Sequence, residues 1–230
     1  MTALEPETLR VLTTGDGSPT LQRVDTGWTY RSDRGALRES AHVFVAGADL
    51  RGRAHVRVLE LGFGVGTNFA ALVVAARAGG IDSLDVHAVE RSPVPSALLP
   101  VFDAQAHALA VAAAAHGHAA AHGVSLTLHP GEFEAHAPQG VFDAVWLDPF
   151  GPDAEPESWS VDVAKVVARA LAPGGRAVTY SAAGWVRRNL AAAGLFVATV
   201  PGPIEGKREF TIAAHTPERL GSVKVRNAPR

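Results

Sequence analysis

The sequence predicts a single α/β domain built on a mostly parallel sheet with helices covering both faces. Three observations lead there. From Ala54 onward, short apolar runs alternate with helical segments, the pattern of strands buried on both sides. The first of those runs leads through "GFGVG" straight into a helix. The last two runs, "LFVATVPG" and "EFTIAAH", are joined only by "PIEGKR". That link is too short for a parallel crossover, so they should close the sheet as an antiparallel hairpin.

The 230 residues, 47% hydrophobic and 19% charged, suffice for one domain with a sizeable core. A net charge of −2 gives no global attraction to nucleic acid, so an RNA partner would need a local basic face. The absence of cysteine excludes disulfides, thiolate metal sites and cysteine nucleophiles. "MTALEPETLR" has no basic segment followed by an apolar stretch, and no apolar run nears the ~20 residues that span a bilayer. A cytoplasmic location, with no membrane partner, is therefore expected.

Residues 1–53 read as an N-terminal extension packed on the main domain. In it, "RVLTTGDGSPTLQRVD" sets a Gly/Asp/Ser/Pro turn between two strand-like runs, a hairpin. "YRSDRGALRESAHVFVAGADL" follows, arginine-rich and ending in the apolar run His42–Val45. The main domain, 54–215, starts with the strand "HVRVLELG" and the helix "TNFAALVVAARAGG", stopped by Gly79-Gly80. "LDVHAVE" is the second strand, and "SALLPVFDAQAHALAVAAAAHGHAAAHG" a long alanine-rich helix broken near Gly117. "VSLTLHPG" and "VFDAVWLDPF" are the third and fourth strands, "SVDVAKVVARALAPGG" a helix and "RAVTYSA" the fifth strand. The helix "AGWVRRNLAAAG" and the terminal hairpin complete a seven-stranded sheet, leaving 216–230 as a flexible tail.

Gly62, Gly64 and Gly66 allow the backbone to turn tightly and approach a nucleotide-like ligand without a Cβ in the way. The second strand ends at Glu90, near the ~20-residue distance at which such folds place a ribose-binding acid. Glu60 and Asn68 flank the loop and join the cofactor-binding set. After the third strand, Glu132 or its backbone neighbours are the candidates to meet an adenine edge. A six-strand parallel dinucleotide fold has no reason to end in an antiparallel hairpin. The class I, Rossmann-like methyltransferase fold resembles this pattern, and S-adenosyl-L-methionine is the expected cofactor. Asp148 ends the fourth strand at the carboxyl edge of the sheet, where open α/β folds place ligands. Pro149 and Pro152 stiffen the following chain, and Phe150 and Trp159 offer flat apolar surfaces beside it.

Several stretches resemble the MnmC/MnmD-type tRNA 5-methylaminomethyl-2-thiouridine methyltransferase family across nearly the whole chain. They are "TGDGSPTL", "YRSDRGALRESAHVF", "LELGFGVGTNF", "WLDPFGPDAEPESW", "YSAAGWVRRNLAAAGLFV" and "GKREF", in the family's order. The resemblance implies methylation of the aminomethyl nitrogen of 5-aminomethyl-2-thiouridine at the tRNA wobble position, with the anticodon loop as partner. It departs at Asp153, which stands where a lysine is common, removing a positive charge near the RNA entrance. The sequence shows nothing of the family's FAD-dependent oxidase domain, so no FAD is expected, and no obligate protein partner is evident.

An alkylamine of pKa ~10.4 must lose a proton before it can attack a methyl group, at ~4–5 kcal/mol near neutrality. Asp148, at an ordinary carboxylate pKa of ~3.9, would be a poor base for it and better suited to holding the nitrogen and its developing charge. A wobble base leaving its stack would meet Phe150, Trp159 or Trp185 as stacking surfaces. Arg187, Arg188, Lys207 and Arg208 are candidate phosphate contacts, with Arg31, Arg34 and Arg38 as extensions of that face. His118 and His122 have the i, i+4 spacing of a metal pair on a helix, but no acidic ligand is near them in sequence and the reaction needs no metal. The alternatives are a small-molecule amine N-methyltransferase and a non-catalytic S-adenosylmethionine- or RNA-binding relative.

Overall fold

Strand β1 (Leu9–Thr13) and strand β2 (Pro19–Arg23) pair antiparallel, forming the expected hairpin. Asp16 closes its turn, accepting from the Ser18 N–H at 3.0 Å and the Thr14 hydroxyl at 2.8 Å. It also accepts from the Arg38 N–H at 2.9 Å, which ties the turn to the helix that follows. These are contacts of a computed structural model that describes residues 6–135, 140–204, 206 and 208–229. Residues 29–31 return alongside β2: the Tyr30 N–H donates to the Leu21 carbonyl at 2.9 Å, and the Arg31 N–H to the Thr20 hydroxyl at 3.1 Å. Helix α1 (Ala36–Glu39) continues into a π-helical stretch, Ser40–Ala46, that buries Val43 and Phe44.

The main domain then runs β3 (His55–Leu61), α2 (Thr67–Gly79), β4 (Ser83–Glu90), α3 (Ala104–His116), β5 (His118–Ala121) and β6 (Val124–Pro130). It continues β7 (Phe142–Leu147), α4 (Val161–Ala170), β8 (Leu171–Thr179), α5 (Gly184–Ala192), β9 (Phe196–Pro201), β10 (Glu209–Ala214) and β11 (Val225–Asn227). The sheet order is β11-β9-β10-β8-β7-β3-β4-β6-β5. β6, β4, β3, β7 and β8 are mutually parallel, while β10 lies antiparallel between β8 and β9, as the short link between the last two apolar runs required.

Among the described residues the sheet has nine strands rather than seven, and both additions are edge strands. One comes from the segment expected to remain helical. Gly117, at φ +79°, ends α3 by donating to the Ala113 carbonyl at 2.7 Å. The chain then returns as β5, antiparallel to β6. Alanine's helix preference is worth only tenths of a kcal/mol per residue, and pairing along the open edge of β6 outweighs it. His118 therefore sits on a strand with Nδ1 3.0 Å from the Thr127 hydroxyl, and His122 lies in the turn at φ +50°; the two share no helical face. The other addition is β11, formed from the segment read as a flexible tail, which pairs through Val225 and Asn227 with β9.

Alternate strand residues fill two cores. Val58 and Trp146 face α2, α3 and the π-helical stretch, through Phe69, Leu109 and Phe44. Leu59, Val145 and Leu147 face α4 and α5, through Val163, Val167, Val186 and Leu190. Asp103 caps α3 by accepting from the Ala106 N–H at 3.0 Å, and Ser160 caps α4 by accepting from Val163 at 3.2 Å. α2 has no side-chain cap; it starts at Gly66, leaving its first N–H groups facing the sheet's carboxyl edge. The chain order reverses between β3 and β7, so a ligand crevice is expected beyond their carboxyl ends. Among the described residues, no helix is long and apolar enough to cross a membrane.

Candidate active site

A cavity of about 520 Å³ opens at that reversal point, within the usual size of small-ligand pockets. Its floor is the glycine loop and the end of β7; its wall is residues 29–32 of the N-terminal extension. Gly62, Gly64 and Gly66 all have positive φ, of 97°, 55° and 75°. A Cβ on Gly64 would come within 3.0 Å of the Tyr30 ring. Glu90, at the end of β4, accepts from the Gly64 N–H and the Ser92 N–H, each at 2.9 Å, fixing the loop to the neighbouring strand. This acid beside a glycine cradle and an uncapped helix start fits the ribose and carboxylate ends of S-adenosylmethionine.

The side chain of Asp148 is only 6% exposed yet lines the cavity. The Arg31 guanidinium grips it with two nitrogens: Nη1 lies 3.1 Å from Oδ1, and Nη2 pairs with Oδ2. The Asn68 amide donates to Asp148 Oδ2 and to Glu60 Oε1, both at 2.8 Å. Burial pushes the Asp148 carboxyl up to about 7, against the opposing pull of Arg31. Glu60 is fully buried; desolvation, reinforced by the charge of Asp148, raises it well above the usual carboxylate range. Its Oε2 has no hydrogen-bond partner among the described residues. The Tyr180 hydroxyl donates to the Pro149 carbonyl at 2.8 Å and pins the chain beyond Asp148.

Of the expected cofactor-binding residues, Gly62, Gly64 and Glu90 line the cavity. Gly66 does not, and Glu60 and Asn68 are fully buried behind Asp148, joined to it through the Asn68 amide. Glu132 lies at the rim, largely exposed, 3.8 Å from an Arg91 guanidinium that also pairs with Glu155 at 2.6 Å. Phe150 lines the mouth, 5.5 Å from the Trp28 ring and 5.1 Å from the Tyr30 ring.

Several expected substrate contacts lie elsewhere. Trp159 is 1% exposed, donates to the Phe150 carbonyl at 2.9 Å and packs in the core edge-on to Tyr180; it supports the mouth instead of presenting a face. Trp185, in the first turn of α5, is half-buried against the core and does not line the cavity. Neither do Arg187, Arg188 or Arg208, of which the last two are exposed. Lys207 lies outside the described residues. Arg31, grouped by sequence with an RNA-facing surface, is instead buried on Asp148 because that carboxylate needs a counter-ion. Arg34 and Arg38 are exposed, and the Arg38 head group bonds the Arg34 carbonyl at 2.6 Å.

Sequence reasoning missed Trp28, Tyr30, Glu39 and Tyr180, all of which contact or line this site. For Tyr30 and Glu39 the available signal is the motif "YRSDRGALRES"; no local pattern marks Trp28 or Tyr180.

Residues 102–216, half of the chain, match the model of a family described as S-adenosyl-L-methionine-dependent methyltransferase. The tRNA 5-methylaminomethyl-2-thiouridine biosynthesis bifunctional protein MnmC of Ralstonia nicotianae is 36% identical over 220 residues, covering 86% of this chain and 33% of that protein. The protein of the same name from Cupriavidus necator is 34% identical over 241 residues, covering 94% and 35%. The chain spans about a third of the length of these relatives. MnmC2 from Aquifex aeolicus shares the fold, with a TM-score of 0.78 over 96% of this chain and 72% of that one, at 24% identity. With a glycine cradle, its acidic partner and a buried carboxylate at the reversal of a class I sheet, the chain belongs to this family of S-adenosyl-L-methionine-dependent methyltransferases.

Proposed function

We propose that this chain methylates the aminomethyl nitrogen of 5-aminomethyl-2-thiouridine at the wobble position of tRNA. The observation that carries the reading is Asp148: a buried carboxylate at the cavity floor, directly beside the glycine loop. An amine held on that carboxylate lies next to the site of the methyl donor, and positioning of this kind supplies much of a displacement's acceleration. The relatives named for 5-methylaminomethyl-2-thiouridine biosynthesis support the identity of the acceptor.

S-adenosylmethionine supplies an electrophilic methyl group when bound. Glu90 and the loop glycines would hold its ribose and amino-acid portion, while Asp148 orients the acceptor nitrogen. Burial also changes what Asp148 can do. From a carboxylate at ~3.9, taking a proton from an alkylammonium is uphill by ~9 kcal/mol; from about 7 the gap falls to ~5 kcal/mol. The carboxylate therefore serves both to hold the ammonium and to lower the cost of exposing its lone pair. Phe150, with Trp28 and Tyr30 behind it, offers the surface on which an extruded base would stack.

A small-molecule amine acceptor is the second reading, favoured by the acidic rim of Glu132, Asp153 and Glu155. Labelled S-adenosylmethionine with tRNA carrying 5-aminomethyl-2-thiouridine separates the two. Label recovered in 5-methylaminomethyl-2-thiouridine is the expected result. Turnover of free alkylamines without transfer to that tRNA would overturn the tRNA reading.

A further inference from the structure

The N-terminal extension delivers one side chain to the deepest part of the cavity. Arg31 is 7% exposed, and its guanidinium lies over the Phe44 ring at 5.2 Å. Its backbone is fastened to β2 through Thr20, so both ends of the residue are fixed. Three acids surround it from different elements: Glu39 of α1, Glu60 of β3 and Asp148 after β7. Asn68 of α2 bridges Glu60 and Asp148, Glu90 of β4 adds its field to Glu60, and Tyr180 after β8 feels both Asp148 and Arg31. A buried guanidinium is expensive unless it is paired, and here the geometry is the bidentate fork that suits a carboxylate.

We infer that Arg31 is a positioning residue for methyl transfer, holding the Asp148 carboxylate charged and in one orientation at the cavity floor. The inference rests on the methyltransferase reading, with Asp148 as the group that meets the acceptor nitrogen. It gives the N-terminal hairpin a role in the chemistry, since residues 29–31 keep their place by pairing with β2.

Two measurements test it. The first is the pH dependence of kcat for wild type, Arg31→Met and Arg31→Lys. Met fills the volume without charge, so the acidic limb should move up by about one pH unit or more, lowering kcat near pH 7 about tenfold. Lys restores the charge but grips a single point, and should return most of the limb's position while kcat stays reduced. A limb unmoved in both variants overturns the inference.

The second needs neither activity nor a known acceptor: the protonated-carboxyl infrared band that Asp148→Asn removes. With Arg31→Met this band should persist to higher pH than in wild type, by about one unit. If that variant does not fold, Arg31→Lys carries the test, with a smaller shift in the same direction. Loss of the band at the wild-type pH overturns the inference. A wild type inactive on tRNA, with the Arg31→Met band still shifted relative to it, separates failure of the tRNA reading from failure of this one.

Discussion

Gly62 and Asp148 touch through their backbones: a Cβ on Gly62 would lie 2.7 Å from the Asp148 carbonyl oxygen. Gly62 also has φ +97°, which L side chains rarely adopt. The end of β3 thus lets the end of β7 close over it, and Asp148 is seated by a residue that has no side chain. Gly62→Ala must move one strand end or the other. We expect a loss of ~1–3 kcal/mol in stability, read as a lower midpoint in urea. A fall of at least tenfold in kcat should accompany it, because the carboxylate shifts. Wild-type kcat in this variant would show that the close approach does not seat Asp148.

Glu90 is engaged by two backbone N–H groups, from Gly64 and Ser92. Glu90→Gln keeps a similar shape but offers one acceptor oxygen in place of two, leaving one amide poorly served. The neutral amide also loses the charge with which Glu90 would accept from the ribose hydroxyls, and at about 1–2 kcal/mol for that contact S-adenosylhomocysteine should bind roughly tenfold more weakly in calorimetric titration. Unchanged affinity would remove Glu90 from the cofactor site.

The raised Asp148 carboxyl makes a stability prediction with a defined sign. Its folded value of about 7 exceeds the usual 3.8, so the folded protein binds this proton more tightly than the unfolded chain. That contribution is complete below about pH 4 and is lost as pH rises through about 7. Asn at this position cannot titrate. The thermal midpoint of wild type minus that of Asp148→Asn should therefore decrease from pH 5 to pH 7.5, with carboxylates remote from Asp148 cancelling and Glu60, which the Asp148 charge raises, adding to the difference. A difference that grows with pH would mean Asp148 is stabilised as the anion on folding.

The parallel core, the glycine loop and the terminal hairpin were legible because each depends on local pattern: apolar runs, glycine spacing, a link too short to cross over. The positive-φ loop of Gly62, Gly64 and Gly66 and its contact with Glu90 were legible for the same reason, since these residues lie within one strand–loop–helix–strand unit. The Arg31–Asp148 pair was not, because its members are 117 residues apart and no local rule distinguishes a buried arginine from a solvated one. Strand β5 was hidden by alanine, whose helix preference said nothing of an open edge on β6. Trp159 and Phe150 look alike in sequence. Only tertiary packing shows that one is core and the other faces the cavity.

That last contrast gives a direct experiment on the acceptor side. Trp159 lies in the core with its ring nitrogen bonded to the Phe150 carbonyl, so Trp159→Ala should cost ~3–5 kcal/mol of stability. Its effect on tRNA would come only through unfolding or a displaced mouth. Phe150 instead borders the cavity beside Trp28 and Tyr30. Phe150→Ala should leave the thermal midpoint within a few degrees and S-adenosylhomocysteine binding intact. It should weaken the tRNA KM by roughly 5- to 100-fold, the range expected when one base loses its stacking partner. Reversal of that pattern, with Phe150→Ala unstable and Trp159→Ala impaired only toward tRNA, would place the stacking surface on the other ring.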